Sequence, residues 1–240
     1  MTAPYWLNIH DPIDFPDVSL ALTDPDGLLA IGGDLSVKRL LTAYRKGIFP
    51  WYNEDQPILW WSPNPRAVLF PDNLKVSKSL RKTLRKKQFT VSFDKDFEGV
   101  IQACAEPRAT QSGTWISNEM QQAYIRMHKE AHAHSVECWL DGELVGGLYG
   151  ISTGNIFFGE SMFSRTTDAS KVAFVYLVRH LQNKHYRLID CQVSSDHLET
   201  LGASDIDREE FVNYLEDSPD ESNWTGHWSV NPDIEKLLLG

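Results

Sequence analysis

Cysteine is scarce in this 240-residue chain: only Cys104, Cys138 and Cys191 occur, with no CxxC pair. Three isolated thiols exclude a disulfide framework and a cysteine-built zinc site, and read as small hydrophobes in a reducing compartment. No run approaches the ~18 apolar residues that a membrane span needs. The first residues, MTAPYWLNIHDPIDFP, lack the basic-then-apolar order of a secretory signal, so a cytoplasmic protein is expected. No Walker or dinucleotide glycine motif is present; LLAIGGDL has a glycine pair but no GxGxxG and no following lysine. No nucleotide cofactor is therefore expected. His128 and His132 stand four apart without the glutamate of an HExxH pattern, and a surface helix face is expected there rather than a metal site.

Aromatics and acids, by contrast, are plentiful. The formal net charge is −10, which on average repels a polyanion. Yet Lys75 to Lys87 carries seven Lys/Arg and no acid. Lys78, Arg81, Lys82 and Arg85 fall on one helical face, with Leu80 and Leu84 on the other. A cationic helix on an acidic protein fits a phosphate backbone. Eight tryptophans are present, and Trp51, Trp60, Trp61 and Trp115 sit in Pro- or Gly-rich contexts, where rings either staple a core or line an apolar pocket.

The pattern of elements reads as α+β. An early helix is capped by Ser36, carries Val37, Leu40, Leu41 and Tyr44 as its apolar stripe, and stops at Gly47. A proline-dense stretch follows, and a domain boundary is expected near Asn64, giving a small domain over 1–64 and a larger one over 65–240. Beyond it come a helix over Lys78–Lys87, a strand over Phe89–Phe93, and a helix capped near Ser117 that carries Met120, Tyr124, Met127 and Ala131. Three strands are then joined at Asp141–Gly142 and Thr153–Asn155, followed by a helix over Ala169–Asn183 and the strand RLIDCQV. A meander, a crossover helix and a further strand are the core order of acetyltransferase-type (GNAT-type) folds. In that fold a glycine-rich turn cradles the donor's pyrophosphate, whereas SMFSRTTDASK offers none after Gly159, so a donor other than coenzyme A is expected.

Alternation puts Asp190 and Gln192 on one face of LIDCQV, either as a structural hydrogen-bonding pair or as the lining of a cleft. Glu160 stands at the end of the apolar strand NIFFG. No Ser-His-Asp or Cys-His arrangement is evident, so no covalent intermediate is expected.

These segments resemble the leucyl/phenylalanyl-tRNA–protein transferases, a bacterial family. The resemblance is carried by GLLAIGGDLS, GIFPWY, WWSPNPRAVL, GTWIS, ELVGGLYG, FFGESMFS, ASKVA and LIDCQV, in order between Gly27 and Ala203. It implies transfer of Leu or Phe, less well Met, from aminoacyl-tRNA to proteins that begin with Arg or Lys, marking them for N-degron proteolysis. The implied enzyme is a cofactor-free monomer with a small N-terminal α/β domain packed on an acetyltransferase-like domain. Trp51, Trp115, Leu148, Phe157, Gly159, Phe174, Leu177 and Ile189 would hold the donor's side chain and terminal adenosine. Glu160, Asp190 and Gln192 would meet the acceptor amine, while Lys78, Arg81, Lys82, Arg85 and Lys86 would touch the acceptor stem; by its chemistry Asp190 either takes the amine's proton or acts only electrostatically on the cationic acceptor. Leu148 replaces a common Met, and Phe174 and Leu177 exchange a size order, swaps that conserve pocket volume. A coenzyme-A acetyltransferase and a non-catalytic tRNA-binding module are the alternatives.

Overall fold

Ser36, Ser77 and Ser117 each hold extended backbone and accept the N–H of Arg39, Leu80 and Met120 respectively. Each bond satisfies one of the donors that a helix start leaves unpaired. The computed structural model describes residues 3–10, 12–107, 115–219, 226–231 and 234. In chain order the first elements are β1 (Tyr5–Leu7), β2 (Leu28–Gly32), α1 (Val37–Arg45), β3 (Phe49–Pro50) and β4 (Leu59–Trp61). Next come β5 (Arg66–Leu69), α2 (Lys78–Lys86), β6 (Thr90–Phe93), α3 (Phe97–Ala105) and α4 (Asn118–Lys129). The meander β7 (Ala133–Leu140), β8 (Glu143–Thr153) and β9 (Ile156–Ser164) leads to α5 (Ala169–Asn183) and β10 (Leu188–Gln192). The described elements close with α6 (Asp196–Thr200), β11 (Ser204–Ile206) and α7 (Arg208–Glu216).

Two sheets result. The small one has the order β1-β2-β4-β3 and the large one β11-β5-β10-β9-β8-β7-β6. All pairings in the large sheet are antiparallel except β9 with β10, whose connection is the helix α5. A parallel neighbour requires such a crossover. The chain passes from the small sheet to the large one between Trp61 and Arg66.

Both faces of the large sheet are covered. Tyr149, Ile151 and Phe158 join a core with α1, α3, α4, α7 and the small sheet. Phe157, Leu148, Val136 and Ile189 face the other way, toward α5 and Leu80 of α2. Neighbours Phe157 and Phe158 thus lie in different cores, as strand alternation dictates. The turns at Asp141–Gly142 and Gly154 have positive φ, which suits tight hairpins.

Two details depart from the sequence pattern. The helix α4 stops at Lys129, and Ala131 takes a φ of +59° outside it. His132 therefore does not share a helix face with His128. Instead, His128 lies flat on Phe97 with ring centroids 4.3 Å apart and bonds Ala133 O through Nδ1, while His134 pairs with Asp94.

The strand β9 is not regular either. Tyr149 pairs with Ser161 but Gly150 with Gly159, so Glu160 is an extra residue in a bulge. A second bulge lies in β10, where Asp190 pairs with Val68 and Gln192 with Ala67, leaving Cys191 extra. Pairing of β10 with β9 ends at Asp190 and Phe158, although β9 runs on to Ser164. The two strands part there and open a cleft. Gly150 makes the first bulge possible, because a Cβ would sit 2.2 Å from Phe158 O and 2.5 Å from Phe157 Cζ. Gly150→Ala is expected to cost ~1–3 kcal/mol of stability, read as a lower urea midpoint; an unchanged midpoint would show that the bulge yields freely.

Candidate active site

The cleft between β9 and β10 has an apolar inner part. A cavity of about 140 Å³ is lined by Leu148 and Phe157 from the meander, Phe174 and Leu177 from α5, and Ile189 from β10, with Glu160 and Gln192 also on its surface. An apolar cavity of ~150 Å³ holds a benzene molecule. The space therefore matches a phenylalanine ring or a leucine side chain. Gly159 also lines it, and a Cβ there would meet only Asp190 O at 3.6 Å.

Glu160 is the polar centre of this cleft. Its Oε2 accepts from the Tyr124 hydroxyl at 2.8 Å, and its Oε1 from Gln192 Nε2 at 2.9 Å. Tyr44 lies 2.6 Å behind Tyr124, oxygen to oxygen. Burial, and then the Glu160 charge, push Tyr44, Tyr124 and Tyr149 well above the usual phenol range, so these rings stay protonated. Burial also raises the Glu160 carboxyl from 4.5 to about 7; the Asp190 charge adds to this, and the bonds from Tyr124, Tyr44 and Gln192 oppose it.

Asp190 sits differently. It is wholly buried, with Oδ1 2.8 Å from Arg66 Nε and Oδ2 2.7 Å from Arg66 Nη2. The Arg66 guanidinium stacks 4.9 Å from the Phe49 ring and 4.6 Å from that of Phe211. Asp190 Oδ1 also accepts the Gln192 backbone N–H at 2.9 Å. Gln192 has a φ of +65°, an uncommon conformation for a non-glycine residue. Simple alternation would send its side chain after that of Asp190; the bulge sends it across to Glu160.

The structure thus gathers Leu148, Phe157, Gly159, Phe174, Leu177, Ile189, Glu160 and Gln192 around one cavity, with Asp190 directly behind Gln192. Trp51 and Trp115 are not among the cavity's lining residues. Trp51 is 47% exposed beside Trp61, whose Nε1 donates to Trp51 O, and half-buried Trp115 packs on the core shared with the small sheet. Lys78, Arg81, Lys82, Arg85 and Lys86 are all exposed on α2, while Leu80 is buried beneath. Thr83 of α2 bonds Asp168 at the start of α5, the helix that supplies Phe174 and Leu177.

Arg66, Tyr44 and Tyr124 were not predicted as site residues. The two tyrosines occupy apolar stripe positions, and the sequence-level hint was their hydroxyls, which need partners once buried. For Arg66 the hint was a lone cation in the apolar run RAVL, which requires a buried acid. Elsewhere, Asp94, His128 and His227 place possible metal-ligand atoms within 4.8 Å of one another. The Asp94 carboxylate already accepts from Ser135 N, Trp228 N and His134.

A family model described as leucyl/phenylalanyl-tRNA protein transferase matches residues 68–216, and one for its N-terminal domain matches 33–64. The leucyl/phenylalanyl-tRNA–protein transferase of Cellvibrio japonicus is 60% identical over 88% of this chain and 89% of its own. That of Aromatoleum aromaticum is 59% identical over 92% and 94%. That of Hydrogenovibrio crunogenus is 54% identical over 98% and 92%.

The Glu160 carboxyl leads to a pH dependence. Its folded pKa lies above its ordinary one, so between pH 4.5 and about 7 the folded state binds more protons and stability falls as pH rises. The total is on the order of 3 kcal/mol. Glu160→Gln is expected to flatten this slope in chemical denaturation at several pH values; an identical slope in the variant would place the titration elsewhere.

Proposed function

The chain belongs to the leucyl/phenylalanyl-tRNA–protein transferase family, and from that membership we propose that it moves Leu or Phe, less well Met, from aminoacyl-tRNA to the N-terminal Arg or Lys of acceptor proteins. The observation that carries the reading is a buried carboxyl, Glu160, held by Tyr124 and Gln192 at the edge of a phenylalanine-sized apolar cavity. In this reading the donor's side chain fills the cavity, and its ester carbonyl lies at the cleft near Glu160.

The chemistry asks for positioning and one proton acceptor. An aminoacyl ester is already activated, and a free α-amine has a pKa of ~7.7–8.0. Holding amine and ester together can supply roughly 7–11 kcal/mol. The amine nitrogen attacks the carbonyl, the C–O bond to the terminal ribose breaks, and the ribose oxygen leaves as a hydroxyl. The proton lost by the nitrogen goes to Glu160, whose raised pKa suits a general base at neutral pH, and Glu160 then returns it to the departing ribose oxygen. Asp190, the candidate above for that proton, has both oxygens committed to Arg66 and no exposed surface. In the reading proposed here it fixes Gln192, which aims Glu160.

Arg66 is paired with Asp190, so an ionised Glu160 leaves excess negative charge for a basic N-terminus. The exposed cations of α2 are assigned to the tRNA acceptor stem, and exposed Trp51 with Trp115 to the donor's terminal adenosine. A coenzyme A donor is disfavoured because Asp168 already places a carboxylate at the start of α5, where a pyrophosphate would bind. We also propose residues 1–64 and 65–240 as the two domains, the larger being acetyltransferase-like, in a cytoplasmic monomer whose products enter N-degron proteolysis.

The test supplies radiolabelled Leu-tRNA and an Arg-started peptide. Label is expected on the peptide with charged tRNA and not from labelled acetyl-CoA; the reverse would overturn the reading. Asp190→Asn is expected to lower transfer far more than tRNA binding, and equal transfer by both proteins would remove it from the site. Replacing Lys82 and Arg85 by Glu is expected to weaken tRNA binding and flatten its salt dependence. An unchanged slope would make α2 an ordinary solvated helix.

A further inference from the structure

The family model ends at residue 216, yet Trp228, beyond it, is 6% exposed and sits in the core that contains the cavity walls. Its indole stacks flat on His134, with centroids 3.9 Å apart and planes 6° apart. Its backbone N–H donates to Asp94 Oδ2. Two further contacts bear on the cavity. The ring lies 5.8 Å from Phe157, a cavity wall contributed by β9, and 4.7 Å from His180 on α5. His180 is three residues beyond Leu177, hence one helical turn along the stripe that forms the other wall. Trp228 is therefore wedged between the two elements whose separation sets the width of the cavity.

Phe157 has little freedom of its own. Its ring runs over Gly150, where even a Cβ would come within 2.5 Å of Cζ. With Gly150 on one side and the indole on another, the ring is held where it bounds the 140 Å³ space. The indole Nε1, His134 Nε2 and both His180 ring nitrogens have no hydrogen-bond partner among the described residues. The seat is thus held by ring packing and the one bond to Asp94 rather than by a polar network at the indole.

We propose that Trp228 is a positioning residue that sets the size of the donor cavity through Phe157 and α5, and so sets the preference between Phe and Leu donors. This rests on the reading that the cavity holds the donor side chain. Loss of the indole frees Phe157 to fall back, which enlarges the space and favours the larger donor. Discrimination by about one methylene in an apolar pocket is worth roughly 10–200-fold.

The test compares kcat/KM for Phe-tRNA and Leu-tRNA with one Arg-started peptide, in wild type, Trp228→Ala, Trp228→Phe and Leu177→Ala. Trp228→Ala is expected to raise the Phe-to-Leu ratio about tenfold, with Trp228→Phe between it and wild type. If the alanine variant does not fold, the phenylalanine variant decides by the same ratio. A parallel fall for both donors with the ratio unchanged would mean that Trp228 only supports the fold, and would overturn the inference. Leu177→Ala separates the two claims. If it moves the ratio while the Trp228 variants do not, the cavity reading stands and the inference fails. If Leu177→Ala leaves the ratio unchanged, the cavity reading fails and takes the inference with it.

Discussion

The buried pair of Arg66 and Asp190 is the constraint on which the cleft depends. Neither side chain is exposed, and the two bonds of 2.8 and 2.7 Å join β5 to β10. The guanidinium also lies against Phe49 of the small sheet and Phe211 of α7, so one ion pair gathers four elements. Such a pair is not a source of net stability in itself, since desolvation offsets its attraction; removing one partner, however, typically costs 3–5 kcal/mol. Its value here lies in geometry. By taking the Gln192 backbone N–H, Asp190 braces the bulge in β10, and the bulge aims Gln192 at Glu160.

From that brace the electrostatics of the site follow. Asp190 has its counter-ion in Arg66, whereas the donors to Glu160 among the described residues, Tyr124, Tyr44 and Gln192, are neutral. Burial without a cation raises a carboxyl's pKa, and the adjacent Asp190 charge adds to the effect. Two acids within one cleft are thereby separated in character. Asp190 organises, and Glu160 is left able to exchange a proton near neutral pH.

Much of the fold was legible because its cues are local. Serine caps, the stripes of α1 and α5, and the two hairpin turns depend on residues a few positions apart. The cavity walls were legible mainly through the ordered motifs, and six of the eight proposed donor contacts line one space. What could not be read depends on register between distant strands. No pattern within LIDCQV announces its bulge, which exists only against β5, and Arg66 and Asp190 are 124 residues apart. Tyr44 and Tyr124 read as apolar stripe residues because the bond between them spans 80 positions. Trp51 and Trp115 were grouped with the cavity by their loop context, and the structure sets both outside its lining.

The account turns on Glu160 as the group that receives the amine's proton. Its most direct test is the pH profile of kcat/KM for transfer from charged tRNA to an Arg-started peptide, in wild type and Glu160→Gln. The wild type should show an ionisation near pH 7 together with that of the acceptor amine, and the variant only the amine's. The same near-neutral ionisation in both proteins would contradict the account.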